Sequence, residues 1–480
     1  FHELHINGRR VGTGVLEPAV SVLNRRTFYR TYDIRPYLET GRNAVGLWLG
    51  RGWHNPVHPG VVDERPLVRV LGRLEGTGGR STIRSDADWE CAASPYSTLG
   101  SWAHRDFGGE RIDARLADPD WASIREGPTE WQPVETVESQ PGRLEAQPAP
   151  QNRVGRKIQA VSVSADPEGG YRIDLGTNLT GWLRLRLPPL EQGQQLDLHY
   201  ADSGGNTFKQ HDVYLSAGKP GEIFASRFNY HAFQTVRVTG LDNPPAAEDA
   251  EGWLIESDLD PAGSFLSSNP LLNRIHELNL WTLRCLNLGG YQMDCPHRER
   301  LGYGGDGQVG VESTIMNLRS PAFYAKWVRD WIDVQDPETG ALPFSTPYHP
   351  PVREGTWWTP FGREGPPAWG GALPVLAWQT YLHYGDQRLL EEAYLPMKRF
   401  LERLESHCRD NLLEPYGDLW QQLGDWLPPG GGMETDNWPS SRANALFNNC
   451  YRVFLWEVFR QAAGALDRPG DAARAAEHLS

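Results

Sequence analysis

The feature that most constrains this chain is a change of hydrophobic period near residue 260. Before it, short apolar runs such as NAVGLWLG, LVRVLGRL, WLRLRLPPL, QLDLHYAD and FQTVRVTGL are punctuated by Gly, Pro, Asn and Asp. That texture predicts strands joined by turns, and its regular recurrence predicts sandwiches. After it, apolar residues recur at helical spacing. SSNPLLNRIHELNLWTLRCL offers Ser268 as N-cap, Pro270 in the first turn and an apolar face through Leu271, Ile275, Leu278 and Trp281. Further helical runs follow at PAFYAKWVRDWIDV, GALPVLAWQTYLHYG, DQRLLEEAYLPMKRFLERLESHC and SRANALFNNCYRVFLWEVFRQAAGAL. A Pro- and Gln-rich stretch at 136–153 reads as a connector. The division is therefore β-sandwich at 1–140, β-sandwich at 154–258 and a helical domain at 262–480.

At 480 residues the chain exceeds one hydrophobic core. Its 47 basic and 61 acidic side chains give a net charge of −14 without long runs, which argues against nucleic acid and anionic membrane as partners. No window has the length of a membrane span. Five cysteines, Cys91, Cys285, Cys295, Cys408 and Cys450, have no CxxC spacing, so neither a disulfide framework nor a structural zinc site is indicated. No metal or other cofactor is expected. The chain opens at Phe1 without an initiator Met or a signal peptide, and its true start is expected upstream; cellular location stays open, and a homodimer is compatible with the sequence. The strong bias is aromatic, with 19 Trp, 17 Tyr and 15 Phe. Such rings suit stacking on sugars, although large β-rich proteins also bury many of them.

Two long Gly-, Pro- and Trp-rich loops interrupt the helices, STPYHPPVREGTWWTPFGREGPPAWGG and QQLGDWLPPGGGMETDNWP. Loops of that length are uncommon unless functional. The densest chemistry lies in a third, DCPHRERLGYGGD at 294–306. It packs three carboxylates, three basic side chains and three glycines into thirteen positions with neither helical nor strand period. Asp294, Glu299 and Asp306 around one pocket cannot all ionise freely, so one holds a proton near neutral pH. Arg298 and Arg300 either neutralise the aspartates or grip hydroxyls, leaving Glu299 to titrate high. The bland alternative is a solvated ion-pair network, with Asp306 capping the helix that follows.

DCPHRERLGYGGDGQ resembles the signature loop of the bacterial α-L-rhamnosidases of glycoside hydrolase family 78. The likeness extends along the chain in the family's order. HINGRRVGTGVLEPAVSVLNRRTFYRTYDIRPYLETGRNAVGLWLGRGW resembles the N-terminal β-domain and DFGGERIDARL its Gly-Glu-x-x-Asp-x-Arg stretch. RIDLGTNLTGWLRLRL and DVYLSAGKPGEIFASRFNYHAFQTVRVTG resemble the sandwich before the catalytic domain. The resemblance implies an (α/α)6 barrel behind β-sandwiches and inverting hydrolysis of a terminal α-L-rhamnosyl residue from a glycoside or polysaccharide, without a metal. It implies Glu299 as general acid, with Asp294 and Asp306 binding rhamnose hydroxyls and holding up its pKa, and Arg298 joining the sugar contacts. Tyr303 stands where the family usually has Trp, and His297 where Gln is common; His297 reads as a satisfied loop histidine. Trp358 (chosen over Trp357), Asp425 and Trp426 correspond to pocket-lining segments.

The same resemblance places the general base far downstream of the acid. From Asn269 on, the residues supply little more than half of what twelve helices of about 12 residues with their loops require. The base is therefore expected in a further C-terminal segment, with Asp425 or Glu434 as a less favoured substitute. Two other readings are a carbohydrate-binding protein without catalysis, and another (α/α)6 enzyme such as an unsaturated glucuronyl hydrolase. An anionic sugar would be repelled by the carboxylate loop.

Overall fold

The computed structural model describes residues 1–54, 61, 65–76, 79–124, 131–138, 142–347, 364–417, 423–424 and 442–479. Its first half is built of strands and its second half of helices, with the change of period falling where the strand Ala250–Ser257 gives way to helix α1, Pro270–Leu286. Among the described residues the helices that follow are α2 (Gly304–Asn317), α3 (Pro321–Val334), α4 (Pro367–Gly370), α5 (Ala372–Tyr384), α6 (Gln387–Glu405), α7 (Arg442–Ala465) and α8 (Pro469–Glu477).

The largest sheet among the described residues has ten strands. Its path runs from Asn152–Gln159 through Ala250–Ser257, Tyr171–Arg186, His231–Thr239, Gln195–Ala201 and His211–Leu215 to Gly109–Asp113 and Tyr96–Leu99. Alternation along these strands buries Leu183, Leu185, Leu196, Leu198, Val236 and Val238 in one core. The sheet does not stop at the connector. Gly109–Asp113 pairs in parallel with His211–Leu215, so strands from either side of residues 136–153 share one ladder. The connector itself is partly strand: Arg143–Ala146 pairs in parallel with Arg26–Tyr29. Its Pro and Gln content disguised a segment whose backbone is satisfied by a partner more than a hundred residues upstream.

This parallel pair anchors the helices. Arg26, almost wholly buried, reaches α3, where its Nη2 lies 2.7 Å from Asp330 and its Nε 2.5 Å from Asp333; Glu145 flanks it, and Lys326 Nζ holds the other oxygen of Asp330 at 2.6 Å.

In the helical part α5 packs on α2, α3 and α6, α6 on α7, and α7 on α8. Helix α6 buries one stripe, Leu389, Leu390, Ala393, Met397, Phe400, Leu401 and Leu404, at helical spacing. Two expectations for α1 change. Asn269, not Ser268, caps it, its side-chain oxygen accepting the Leu271 N–H at 2.9 Å. Of its expected apolar face only Trp281 packs against a core, its Nε1 donating to Asn178 O at 2.8 Å; Leu271, Ile275 and Leu278 are 63%, 53% and 47% exposed, and Val309 and Met316 on α2 are 80% and 61% exposed. The period named a helix correctly, but no described element covers Leu271, Ile275 and Leu278.

Arg26→Ala leaves Asp333 without its counter-charge and Asp330 with Lys326 alone, and is expected to cost about 3–5 kcal/mol, read as a lowered urea midpoint.

Candidate active site

The 294–303 loop owes its shape to one carbonyl. Cys295 O accepts the backbone N–H groups of Arg298, Glu299 and Arg300 at 3.1–3.3 Å, which winds the acidic stretch into a single tight turn. The neck is closed by Asp294 N–H to Leu301 O at 3.0 Å and by Leu301 N–H to Asp294 Oδ1 at 3.1 Å. Beyond it the chain lies against residues 344–346, with Thr346 N–H bonded to Gly302 O and Gly304 N–H to Phe344 O. A Cβ at Gly302 would stand 2.3 Å from Thr346 O, and one at Gly304 would stand 1.8 Å from Trp369 O, so glycine is required at both positions.

Arg300 fastens this loop to the β-domains. It is fully buried with φ +55°. Its Nε donates to Pro296 O at 2.7 Å, Nη1 to Asn229 Oδ1 at 2.9 Å and Nη2 to Tyr230 O. The guanidinium lies 3.9, 4.2 and 5.0 Å from the ring centres of Tyr230, Phe107 and Trp102. Burial pulls its pKa down to about 10, which still leaves it charged at neutral pH. It therefore neither pairs with an aspartate nor faces a sugar, as its place in the motif had suggested. The DFGGERIDARL motif supports this anchor: Glu110 accepts the N–H groups of Arg227 (2.6 Å) and Phe228 (3.0 Å), just before Asn229 and Tyr230.

On the other side of the turn the functional groups converge. Arg298 Nε lies 2.9 Å from Glu299 Oε1, and His104 Nδ1 approaches the same oxygen at 3.9 Å. Tyr303, buried at the start of α2, presents its hydroxyl to Glu299, and Asp306 sits in the first turn of that helix. Asp294 is pushed well above the ordinary aspartate range by burial and then by the charge of Glu299; Asp306 is raised for the same two reasons. Repulsion among the carboxylates is present at the two aspartates, with Glu299 as a cause. Burial and the neighbouring carboxylates also raise the Cys295 thiol, which contacts Asp294 Oδ2 at 2.7 Å. Among the described residues, Asp294, Cys295 and Glu299 bring one ligand-type atom each within 4.8 Å of one another.

The structure thus brings together Asp294, Arg298, Glu299, Tyr303 and Asp306. Trp357, Trp358, Asp425, Trp426 and Glu434 lie outside the described residues. His297 turns to the second β-domain, its Nε2 3.3 Å from Asp202 and its ring edge-on to Phe208 at 4.8 Å. Sequence reasoning missed His104 and Arg105, which precede the quoted motif in SWAHRDFGGE, and also Asp202 and Phe208. Arg105 N–H donates to Arg298 O at 2.7 Å. Arg300 and four residues of the surrounding β-loops, Trp102, Arg105, Phe208 and Lys209, adopt left-handed backbone conformations. Such conformations persist only where tertiary contacts over-determine them.

Comparison with known proteins follows the same three-part order. The α-L-rhamnosidase N-terminal domain matches residues 1–156, the bacterial α-L-rhamnosidase concanavalin-like domain 165–256, and the bacterial α-L-rhamnosidase 6 hairpin glycosidase domain 260–479. An α-L-rhamnosidase of Formosa agariphila is 28% identical over 93% of this chain and 49% of its own length; one of Streptomyces avermitilis is 29% identical over 89% and 42%. Among solved structures, the α-L-rhamnosidase of Dictyoglumus thermophilum superposes with a TM-score of 0.88 at 28% identity, covering all of this chain and 52% of that one. The S. avermitilis enzyme complexed with L-rhamnose gives 0.86 at 26%, covering all of this chain and 45% of that one. The chain spans about half the length of these relatives.

The raised Asp294 has a stability consequence. Near and below the ordinary aspartate pKa, folded and unfolded chains are both protonated and burial carries no charge penalty. As pH rises from there towards the folded value, the unfolded chain ionises freely while the folded one cannot, so stability falls. Asp294→Asn keeps an acceptor for Leu301 N–H without the charge. It is expected to melt higher than the parent protein at pH 7, with the gap closing towards pH 3–4.

Proposed function

The chain belongs to the bacterial α-L-rhamnosidase family, glycoside hydrolase family 78, and from that premise we propose that it carries the acid side of an inverting glycosidase that removes terminal α-L-rhamnose from glycosides or polysaccharides. The observation that carries this reading is the Asp294–Glu299 pair set in a turn with Arg298, Tyr303 and Asp306 and walled by His104. Glu299 protonates the glycosidic oxygen. Asp294 and Asp306, kept from full ionisation by burial, offer hydroxyl-binding groups to a neutral deoxysugar and hold proton density beside the acid. Arg298 serves the sugar and the carboxylate left after proton transfer. Tyr303 forms an aromatic wall. Trp358, Asp425 and Trp426 are assigned to the pocket's remaining sides.

Inversion needs a second carboxylate about 6.5–9.5 Å from the acid, with room for water between them. Asp294 is too close for that role, its ligand-type oxygen lying within 4.8 Å of that of Glu299. We assign the base to chain that completes the helical domain. Two observations support this: the uncovered apolar faces of α1 and α2, and the roughly twofold greater length of the relatives. The same faces make the helical domain on its own prone to association.

In the full-length protein, Glu299→Gln should lower kcat on a rhamnosyl disaccharide by about 10²–10⁴-fold while rhamnose still binds. Proton NMR of the parent protein's reaction should show β-L-rhamnose as the first product. Rhamnose binding with no release of sugar by the parent protein would move the reading to carbohydrate binding without catalysis.

A further inference from the structure

His104 does not belong to the helical domain. It sits in the loop 100–108 that leads into the strand Gly109–Asp113 of the large sheet, yet its imidazole reaches Glu299. Three features make this a built contact. The loop is fixed to the acidic turn by the backbone bond from Arg105 N–H to Arg298 O, one residue from Glu299. Its two ends are clamped by the left-handed Trp102 and by Phe107, whose rings both cover Arg300, the residue following Glu299. The imidazole and the Glu299 side chain are also largely shielded from water, at 18% and 10% exposure.

We propose that His104 is a positioning residue for the general acid, holding Glu299 against Arg298 from the β-domain side so that the N-terminal region supplies part of the active site. This rests on the reading of Glu299 as acid. The titratable and charged groups facing Glu299 are Asp294, Cys295 and Arg298 on its own loop, Tyr303 and Asp306 from α2, and His104 with Arg105 behind it. Within that set an imidazole suits the role because burial, with Arg105 and Arg298 adding to it against the pull of Glu299, lowers its pKa to about 4. At working pH it faces the carboxyl at 3.9 Å as a neutral dipole, beyond direct hydrogen-bond distance, and does not draw out its proton as a second cation would. Removing it admits water beside Glu299 and widens the carboxyl's range of orientations.

The test uses leaving-group dependence in the full-length enzyme. A rhamnosyl disaccharide needs its leaving oxygen protonated, whereas 2,4-dinitrophenyl α-L-rhamnopyranoside has a leaving group that departs as an anion. His104→Ala, and His104→Phe, which keeps a packed ring but no nitrogen, should each lower kcat/KM on the disaccharide by about 10- to 100-fold. They should change it less than about twofold on the activated substrate and move the alkaline limb of the disaccharide pH profile to lower pH. His104→Gln, with its polar amide, should recover most of the loss. Equal losses on both substrates, or no loss on either, overturn the proposal. If His104→Ala does not fold, the Phe and Gln pair decides by the same criterion. Glu299→Gln run alongside separates the two levels: if it too hydrolyses the disaccharide at the parental rate, the assignment of the acid fails and not that of His104 alone.

Discussion

A guanidinium with no access to solvent holds this molecule together at the place that matters. Moving an ion of that kind into a protein interior costs several kcal/mol even after relaxation, and only excellent geometry offsets it. Arg300 has that geometry: three carbonyl-type acceptors and three aromatic faces, drawn from the acidic loop, the second β-domain and the N-terminal region. The acidic turn holds its own shape through Cys295 O and the Asp294–Leu301 neck, but those bonds do not fix it to the sheet. Without Arg300 its ties to the sheet among the described residues would be light ones such as Arg105 to Arg298 and His297 to Asp202. With it, Glu299 is placed one residue from a fixed point.

The electrostatic design follows from that placement. Arg300 points its charge away from the carboxylates, leaving Arg298 as the cation in contact with Glu299. Asp294 and Asp306 are therefore under-compensated, which is why burial lifts both. A structural loop of this composition would have used both arginines to neutralise its acids. Spending one on anchorage keeps the cluster short of positive charge, a cost in stability that favours retention of a proton.

Much of this was legible in the sequence because it is local. The runs at PAFYAKWVRDWIDV and DQRLLEEAYLPMKRFLERLE carry their own period and became α3 and α6. The acidic loop stood out because Asp294, Glu299 and Asp306 crowd a stretch with three glycines. What escaped notice depends on residues far apart in the chain. Asn229 and Tyr230 lie about seventy positions before Arg300, and nothing near Arg300 says that it turns inward. His104 approaches Glu299 from almost two hundred residues upstream. The strand Arg143–Ala146 hides in a Pro- and Gln-rich segment because its partner, Arg26–Tyr29, is distant. Leu271, Ile275 and Leu278 gave the right helix and the wrong environment, since periodicity reports a face and not what covers it.

The parallel pairing of Gly109–Asp113 with His211–Leu215 also sets an order of events during synthesis. The strand that ends the His104 loop must wait about a hundred residues for its partner to leave the ribosome, and the carbonyl and side-chain oxygen that Arg300 requires come later still. Non-local pairing of this kind is slow and leaves an open strand edge meanwhile. The sheet must therefore be in place before the acidic loop has anything to dock on. Docking of the acidic loop then follows a process that starts in the β-domains, and a defect in their folding would surface as a misplaced Glu299 in a helical domain whose own sequence is intact.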